Sequence, residues 1–238
     1  MNDNELWSPI WHNGSVSNRQ AFALAPASLT DALYESVRRR IINEELKPGE
    51  KVTEARLTSE YGVARPTAKA CVERLVVVGL LRRSAHKTAV VPELSQRDIV
   101  DLFLSRETVE SAAVRILARE ARVPEPASRA QRALETATSG GNYEEIVAAD
   151  IAFHAALVRG TASERLSRMH ELILGEVELT MGLFSAHKAA SRESIPAEHA
   201  AILAAILAGD EDAAGARLSE HLHAARTRVL ALASNSQS

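Results

Sequence analysis

Four residues in the second half of the chain have the types and spacing of a transition-metal site. Asp150 and His154 lie four residues apart, so on a helix their side chains share one face and can reach one ion. His199 and His221 lie beside the apolar stripes of two later predicted helices, so all three imidazoles can meet inside a helical bundle. Three imidazoles and one carboxylate fit a divalent transition metal with open positions for water or a ligand. The alternatives are a surface ion pair for Asp150 and His154, and hydrogen-bonded core histidines.

A second chemistry-bearing stretch, residues 63–75, has the pattern of a short helix that contacts DNA. Pro66 suits a first helical turn, because its missing N–H would have no partner there. Apolar residues recur with helical spacing at Ala68, Cys71, Val72 and Leu75. The other face carries Arg65, Thr67, Lys69 and Arg74. Basic and hydroxyl side chains at the start of a helix supply phosphate contacts and donors for base edges. An ordinary surface helix is the alternative.

The elements on either side of this helix predict a winged helix-turn-helix domain. One helix is expected over about 28–46 and another over 54–61, with Thr53 as the N-cap of the second. Gly62 then supplies the turn before residues 63–75. Residues 80–91 form two short strand-like runs around a basic turn, which predicts a β-hairpin wing. The basic residues of that wing are Arg82, Arg83, His86 and Lys87.

Helical periodicity continues through the rest of the chain. Residues Ser95 to Asp98 have the outline of a capping box, which predicts the start of a long helix over about 95–121. Pro124 and Pro126 end that helix. Further helices are predicted over about 126–138, 143–159, 163–187, 197–208 and 211–233.

The predicted fold is therefore mainly α, in two domains. Residues 28–92 form the winged helix-turn-helix domain, and residues 95–233 form an all-α antiparallel bundle of about six helices. We expect a flexible leader over 1–27, with Trp7 and Trp11, and a polar tail over 234–238.

Composition narrows the classes of function. The 238 residues carry a net charge of −3, but residues 30–90 contain 12 Lys and Arg against 8 Asp and Glu. That segment is at +4 and the remainder at −7, which indicates local contact with a polyanion. The single cysteine, Cys71, excludes an intrachain disulfide and is expected to be buried and inert. Neither a membrane span nor a signal peptide is recognisable, so we predict a cytoplasmic protein.

Residues 63–69, Val-Ala-Arg-Pro-Thr-Ala-Lys, resemble the V-S-R-T-P-V-R run of the GntR family of bacterial transcription regulators. With the helical second half, the layout over about residues 29–233 resembles the FadR-like branch, whose C-terminal ligand-binding domain is called FCD. The inverted Thr-Pro order, Ala64 and Lys69 depart from the family run, and the wing lacks the frequent glycine. The operator sequence of the family is therefore not carried over.

The resemblance implies roles for individual residues. By the resemblance, Arg65, Thr67 and Lys69 are groove and phosphate contacts, and the wing residue His86 is a weaker one. Arg56 lies where the family places a basic contact, one position out of register. Lys87 is a further candidate, because it lies in the basic turn of the wing. It implies metal ligation by Asp150, His154, His199 and His221, since FCD domains commonly bind a metal through such a set. It also matches Arg106 to an arginine that faces the effector pocket, where a guanidinium suits a small carboxylate. A surface Arg106 paired with Glu110 is the alternative.

The sequence therefore predicts a DNA-binding transcription regulator, more specifically a repressor. A homodimer would read a pseudo-palindromic double-stranded operator, and a small organic acid in the metal-containing bundle would change the arrangement of the DNA-binding domains. Zinc, nickel and manganese are not separated by the ligand set. Two alternatives stay open: a metalloenzyme that activates water at this site, and a regulator whose metal is purely structural.

Overall fold

The computed structural model describes residues 29–84, 87–140, 143–184 and 194–235, and these contain nine helices. Three helices lie in the first domain: α1 (Leu29–Ile42), α2 (Glu54–Tyr61) and α3 (Arg65–Val77). Six form the second: α4 (Gln96–Arg119), α5 (Glu125–Gly140), α6 (Tyr143–Gly160), α7 (Glu164–Phe184), α8 (Ser194–Leu207) and α9 (Glu211–Asn235). The prediction of a mainly α fold with a six-helix second domain is confirmed. The predicted leader over 1–27 lies outside the described residues.

The predicted signals start and end α2 and α3. The Thr53 side chain accepts a hydrogen bond from the Arg56 N–H at 3.0 Å and caps α2. Gly62 ends α2 with φ 63°, a left-handed conformation that glycine adopts without steric cost. Pro66 lies in the first turn of α3, as predicted. The expectation that α1 runs to about residue 46 is wrong, because the backbone turns left-handed at Glu44 (φ 59°) and α1 ends at Ile42.

The wing is smaller than a hairpin of two full strands. Arg82 and Val90 exchange backbone hydrogen bonds of 2.8 and 3.0 Å, and Val90 also bridges to Lys51. Within the described part of the wing these are isolated bridges and do not extend into strands. His86, a predicted DNA contact, lies outside the described residues.

Helix α4 is the central element of the second domain. Its start is fixed by the predicted capping box, in which Ser95 and Asp98 bond each other's backbone N–H groups. The helix packs against α6, α7, α8 and α9, while α5 packs mainly on α6. The faces of four helices therefore converge beside α4.

Helix α7 joins the two domains. The Gly175 N–H donates to the Val78 carbonyl at 2.9 Å, just after α3. Arg38 of α1 pairs with Glu178 at 2.7 Å. Buried apolar residues of both domains form one continuous core, so the first domain rests directly on the bundle.

No helix in the described ranges is both long enough and apolar enough to span a bilayer.

Candidate functional site

Asp150, His154, His199 and His221 come together in the interior of the bundle. Each offers a ligand atom, and the four atoms lie within 4.8 Å of one another. The Nε2 atoms of His154 and His221 are 3.2 Å apart, and Asp150 Oδ1 lies 3.3 Å from His199 Nε2 and 3.9 Å from His154 Nε2. All four side chains are at most 2% exposed. The convergence predicted from spacing is therefore present in the structure, and the surface ion pair is wrong for Asp150 and His154.

Three helices supply this cluster. Asp150 and His154 lie one turn apart on α6, His199 lies on α8, and His221 lies on α9. Phe153 stacks on the His199 ring with 3.8 Å between ring centroids and 9° between planes. That contact limits the rotation of His199, because the ring is held flat against an aromatic face.

Two glutamates lie against the outer nitrogens of two of the histidine rings. Glu110 Oε2 of α4 lies 2.6 Å from His154 Nδ1. Glu198 Oε2 of α8 lies 2.7 Å from His221 Nδ1. A carboxylate on one ring nitrogen favours the tautomer whose other nitrogen carries a free lone pair. At His154 and His221 that other nitrogen is the Nε2 directed into the cluster.

The electrostatics of the cluster favour neutral imidazoles. Burial lowers the pKa of His154 and of His221, which favours the uncharged form of both rings. Burial by itself raises the pKa of Glu110, but Arg106, His154 and His170 outweigh it and hold that pKa well below its usual range. Two neutral imidazoles whose Nε2 atoms lie 3.2 Å apart and a carboxylate close by are donors that fit one divalent cation.

Arg106 lies in the interior next to this cluster. Its side chain is 2% exposed and its Nε donates to Glu110 Oε1 at 3.0 Å. The pairing named in the alternative is correct, but the surface position is wrong, because this face of α4 is covered by α6 and α7. A role in effector binding stays a prediction.

The candidate DNA-contacting face of α3 is open to solvent. Arg65 and Lys69 are exposed and Thr67 is half-buried, while Ala68, Cys71, Val72 and Leu75 are fully buried beneath them. Ala64 at the N-cap makes no side-chain hydrogen bond, so the N-terminal turn of α3 keeps free N–H groups and the positive end of its dipole. Such a turn is suited to a phosphate.

The other basic residues of this domain differ in whether they form ion pairs with carboxylates of the same domain. Arg56 pairs with Glu50 and Glu60 at 2.6 Å each. Arg74 pairs with Asp31 at 2.6 Å and stacks on Tyr34. Among the described residues, Lys87 has no ion pair, as is also true of Arg65. DNA contact by Arg56 and Lys87 stays a prediction, and for Arg56 it requires release from two carboxylates.

Sequence reasoning missed three residues that belong to the buried site: Glu110, His170 and Glu198. Glu110 was visible only as the helical neighbour of Arg106. His170 of α7 is 3% exposed and lies 3.3 Å from Glu110 Oε1, although its spacing relative to the other histidines is uninformative. Glu198 directly precedes His199, yet it contacts His221. Only the packing of α4, α7, α8 and α9 brings these groups together.

Two protein families match the chain in consecutive segments. Residues 29–91 match the family described as bacterial regulatory proteins, gntR family. Residues 101–224 match the FCD domain and contain all four residues of the cluster.

Individual proteins agree with these matches. The chain is 24% identical to the HTH-type transcriptional regulator YdhC of Bacillus subtilis over 80% of this chain and 86% of that protein. It is 24% identical to the "probable D-xylose utilization operon transcriptional repressor" of Paenarthrobacter nicotinovorans over 74% of this chain and 77% of that protein. A GntR transcriptional regulator from Rhodococcus sp. RHA1 has the same fold, with a TM-score of 0.71, 23% identity and coverage of 86% of this chain and 99% of that one.

Proposed function

The chain belongs to the gntR family of bacterial regulatory proteins and carries an FCD domain, and from this premise we propose that it is a dimeric, metal-binding repressor controlled by a small carboxylate. That it is a transcription regulator follows from the family. The operator, the dimer, the metal, the effector and the sign of regulation are the proposed part.

The observation that carries the proposal is the accessible N-terminal turn of α3. Arg65 and Lys69 are exposed there, beside backbone N–H groups that no side chain caps. These groups match what a recognition helix needs: cations for phosphates and donors for base edges. The repressor role is supported by the relative whose name includes a repressor of the D-xylose utilization operon.

The proposed dimer interface lies on α4 and α7. Three large exposed apolar residues of these packed helices, Leu104, Met169 and Leu172, line one surface groove. A contiguous apolar surface of this kind is typical of a protein–protein contact. A second copy of the chain is the occupant that a two-fold symmetric operator requires.

The proposed effector site is the metal cluster and its surroundings. A divalent ion held by Asp150, His154, His199 and His221 would supply open coordination positions for a carboxylate. A surface cleft between α8 and α9 reaches this region, because its lining includes Glu198, Arg217 and His221. Zinc, nickel and manganese all suit the donors.

Fluorescence polarisation with the DNA upstream of the protein's own gene tests the regulator. We expect sequence-selective binding whose affinity falls steeply with salt, because phosphate contacts release counterions. Equal affinity for that DNA and for a scrambled duplex at every salt concentration contradicts the proposal.

Size-exclusion chromatography with light scattering tests the dimer, and Leu104→Glu should shift the wild-type dimer toward monomer.

A thermal-shift screen of small carboxylates on metal-loaded protein tests the effector. A ligand of the native state raises the melting temperature. The proposed effector must also change operator affinity, and the change must be lost after chelation of the metal. If chelation lowers the melting temperature but leaves the effector's influence on DNA binding intact, the metal is purely structural.

A further inference from the structure

Glu110 contacts three side chains that lie on three different helices. Its Oε2 lies 2.6 Å from His154 Nδ1 on α6, and its Oε1 lies 3.3 Å from His170 Nε2 on α7 and 3.0 Å from Arg106 Nε on α4. All of these residues are at most 3% exposed. A carboxylate so placed joins the metal cluster to α7 directly, without an intervening exposed group.

The contact with His154 determines which ring nitrogen can serve a metal. A carboxylate 2.6 Å from Nδ1 favours the tautomer with the proton on Nδ1, which leaves the Nε2 lone pair for the cluster. Glu198 does the same for His221 on the opposite side, at 2.7 Å. Glu198, however, is half-buried and lies on α8, and its side chain bonds His221 of α9.

The contact with His170 leads to the DNA-binding domain. His170 and Gly175 are five residues apart on α7, or about 7.5 Å along a helix. A Cβ atom on Gly175 would lie 2.2 Å from the Val78 carbonyl oxygen, so the backbone that follows α3 rests directly on α7. Farther along, Glu178 pairs with Arg38, and a Cβ atom on Gly182 would lie 2.7 Å from the Ile42 carbonyl oxygen. Helix α7 therefore touches both the end of α1 and the end of α3.

We propose that Glu110 is a positioning residue with two functions: it orients His154 for the metal, and through His170 it fixes α7, the helix on which the DNA-binding domain rests. Glu198 has only the first function. The inference rests on the proposed metal site, but not on operator binding. Metal binding at the cluster then affects the DNA-binding domain through the contacts of Glu110 on α4 with His170 and through α7.

The first experiment measures zinc affinity of the full-length protein by competition with a chromophoric chelator. Glu110→Gln and Glu198→Gln should each weaken zinc binding by about 10- to 100-fold, the usual cost of removing an outer partner of a metal-binding histidine. Because Glu110→Gln leaves Arg106 buried beside a neutral group, the compensated double variant Arg106→Met/Glu110→Gln is measured beside it. Wild-type affinity in both Glu110 variants overturns the inference. A wild-type protein that binds no zinc overturns the proposed metal site as well.

The second experiment separates the two functions by hydrogen exchange at saturating zinc. In the wild-type, zinc should slow exchange in α7 between residues 170 and 182 and in the C-terminal half of α1. His170→Leu should confine this protection to the helices that carry the cluster, and His170→Gln, which keeps a side-chain N–H, should restore it in part. Glu198→Gln at saturating zinc should show the wild-type pattern, because the hydrogen bond of Glu198 is to His221 of α9.

Protection of α7 that is unchanged in His170→Leu, or absent from the wild-type, contradicts the inference. These readouts use no DNA, so failure of operator recognition would leave them intact and is distinguished by the polarisation experiment.

Discussion

The two domains place their charged and polar chemistry in opposite environments. In the first, Arg65 and Lys69 are exposed and come from one short helix within five residues of each other. In the second, the cluster, Glu110 and His170 are buried, Glu198 is half-buried, and these residues come from α4, α6, α7, α8 and α9. A surface that meets a large polyanion needs accessible charge, whereas a site for an ion or a small acid needs removal from water. Substitution of the same residue types should therefore change the free energy of unfolding by very different amounts in the two domains.

The largest effect on the free energy of unfolding is expected for the buried ion pair of Arg106 and Glu110, which has an exposed counterpart of the same i, i+4 spacing in Lys69 and Glu73. Arg106 and Glu110 are 2% and 1% exposed, and removing one partner leaves the other charge buried without compensation. Arg106→Met should lower the free energy of unfolding by about 3–5 kcal/mol, measured by urea denaturation. A loss below about 1 kcal/mol would mean that Glu110 is satisfied by its histidines alone.

The next largest effect on the free energy of unfolding is expected from metal binding, because an ion that binds only the native state stabilises it. At free zinc 100-fold above its dissociation constant, we expect about 2.7 kcal/mol of added stability in wild-type protein. His154→Ala should abolish this increment. His223→Ala is the matched control, since His223 is exposed on α9 only two residues from His221. An equal loss in both variants would contradict the assignment of the cluster.

Exposed Arg65 should affect DNA binding without affecting stability. Arg65→Ala should weaken operator binding by about 1–3 kcal/mol if the guanidinium contacts a base edge. Arg97→Ala, which removes an exposed arginine from the first turn of α4, should leave operator affinity close to that of the wild-type. Polarisation on operator and random duplexes distinguishes the roles, because equal losses on both mark a phosphate contact.

The smallest effect is expected for the exposed counterpart of the buried pair. Lys69 and Glu73 are 3.7 Å apart and 60% and 54% exposed, so water screens their attraction. Glu73→Ala should change the free energy of unfolding by only about 0.3–0.5 kcal/mol. A cost comparable with that of Arg106→Met would show that burial does not account for the difference between the domains.

Helix positions and the residues of the cluster were predictable, because both depend on short-range patterns. Thr53, Gly62, Pro66 and the Ser95 capping box each act within about one turn of the backbone. The four-residue spacing of Asp150 and His154 likewise follows from helix geometry. The end of α1 was not predictable in this way, because a non-glycine residue, Glu44, adopts the left-handed turn there.

The partners of the buried groups could not be predicted. Glu110 is separated by 44 residues from His154 and by 60 from His170, and no local pattern links them. The burial of Arg106 depends on the helices that cover α4, so the sequence left a surface position as an open alternative.

Sequence alone indicated the class of protein, through the resemblance of residues 63–69 to a family motif, and the face that each helix presents. Motif, periodicity and capping are local properties of a chain. Tertiary structure decided which charges are removed from water and which groups hold them. It placed Glu110 between His154 and His170, and it set α7 against the ends of α1 and α3. The physical reason is that the energy of a charged side chain depends on its desolvation and its partners, and both are fixed only when distant helices pack.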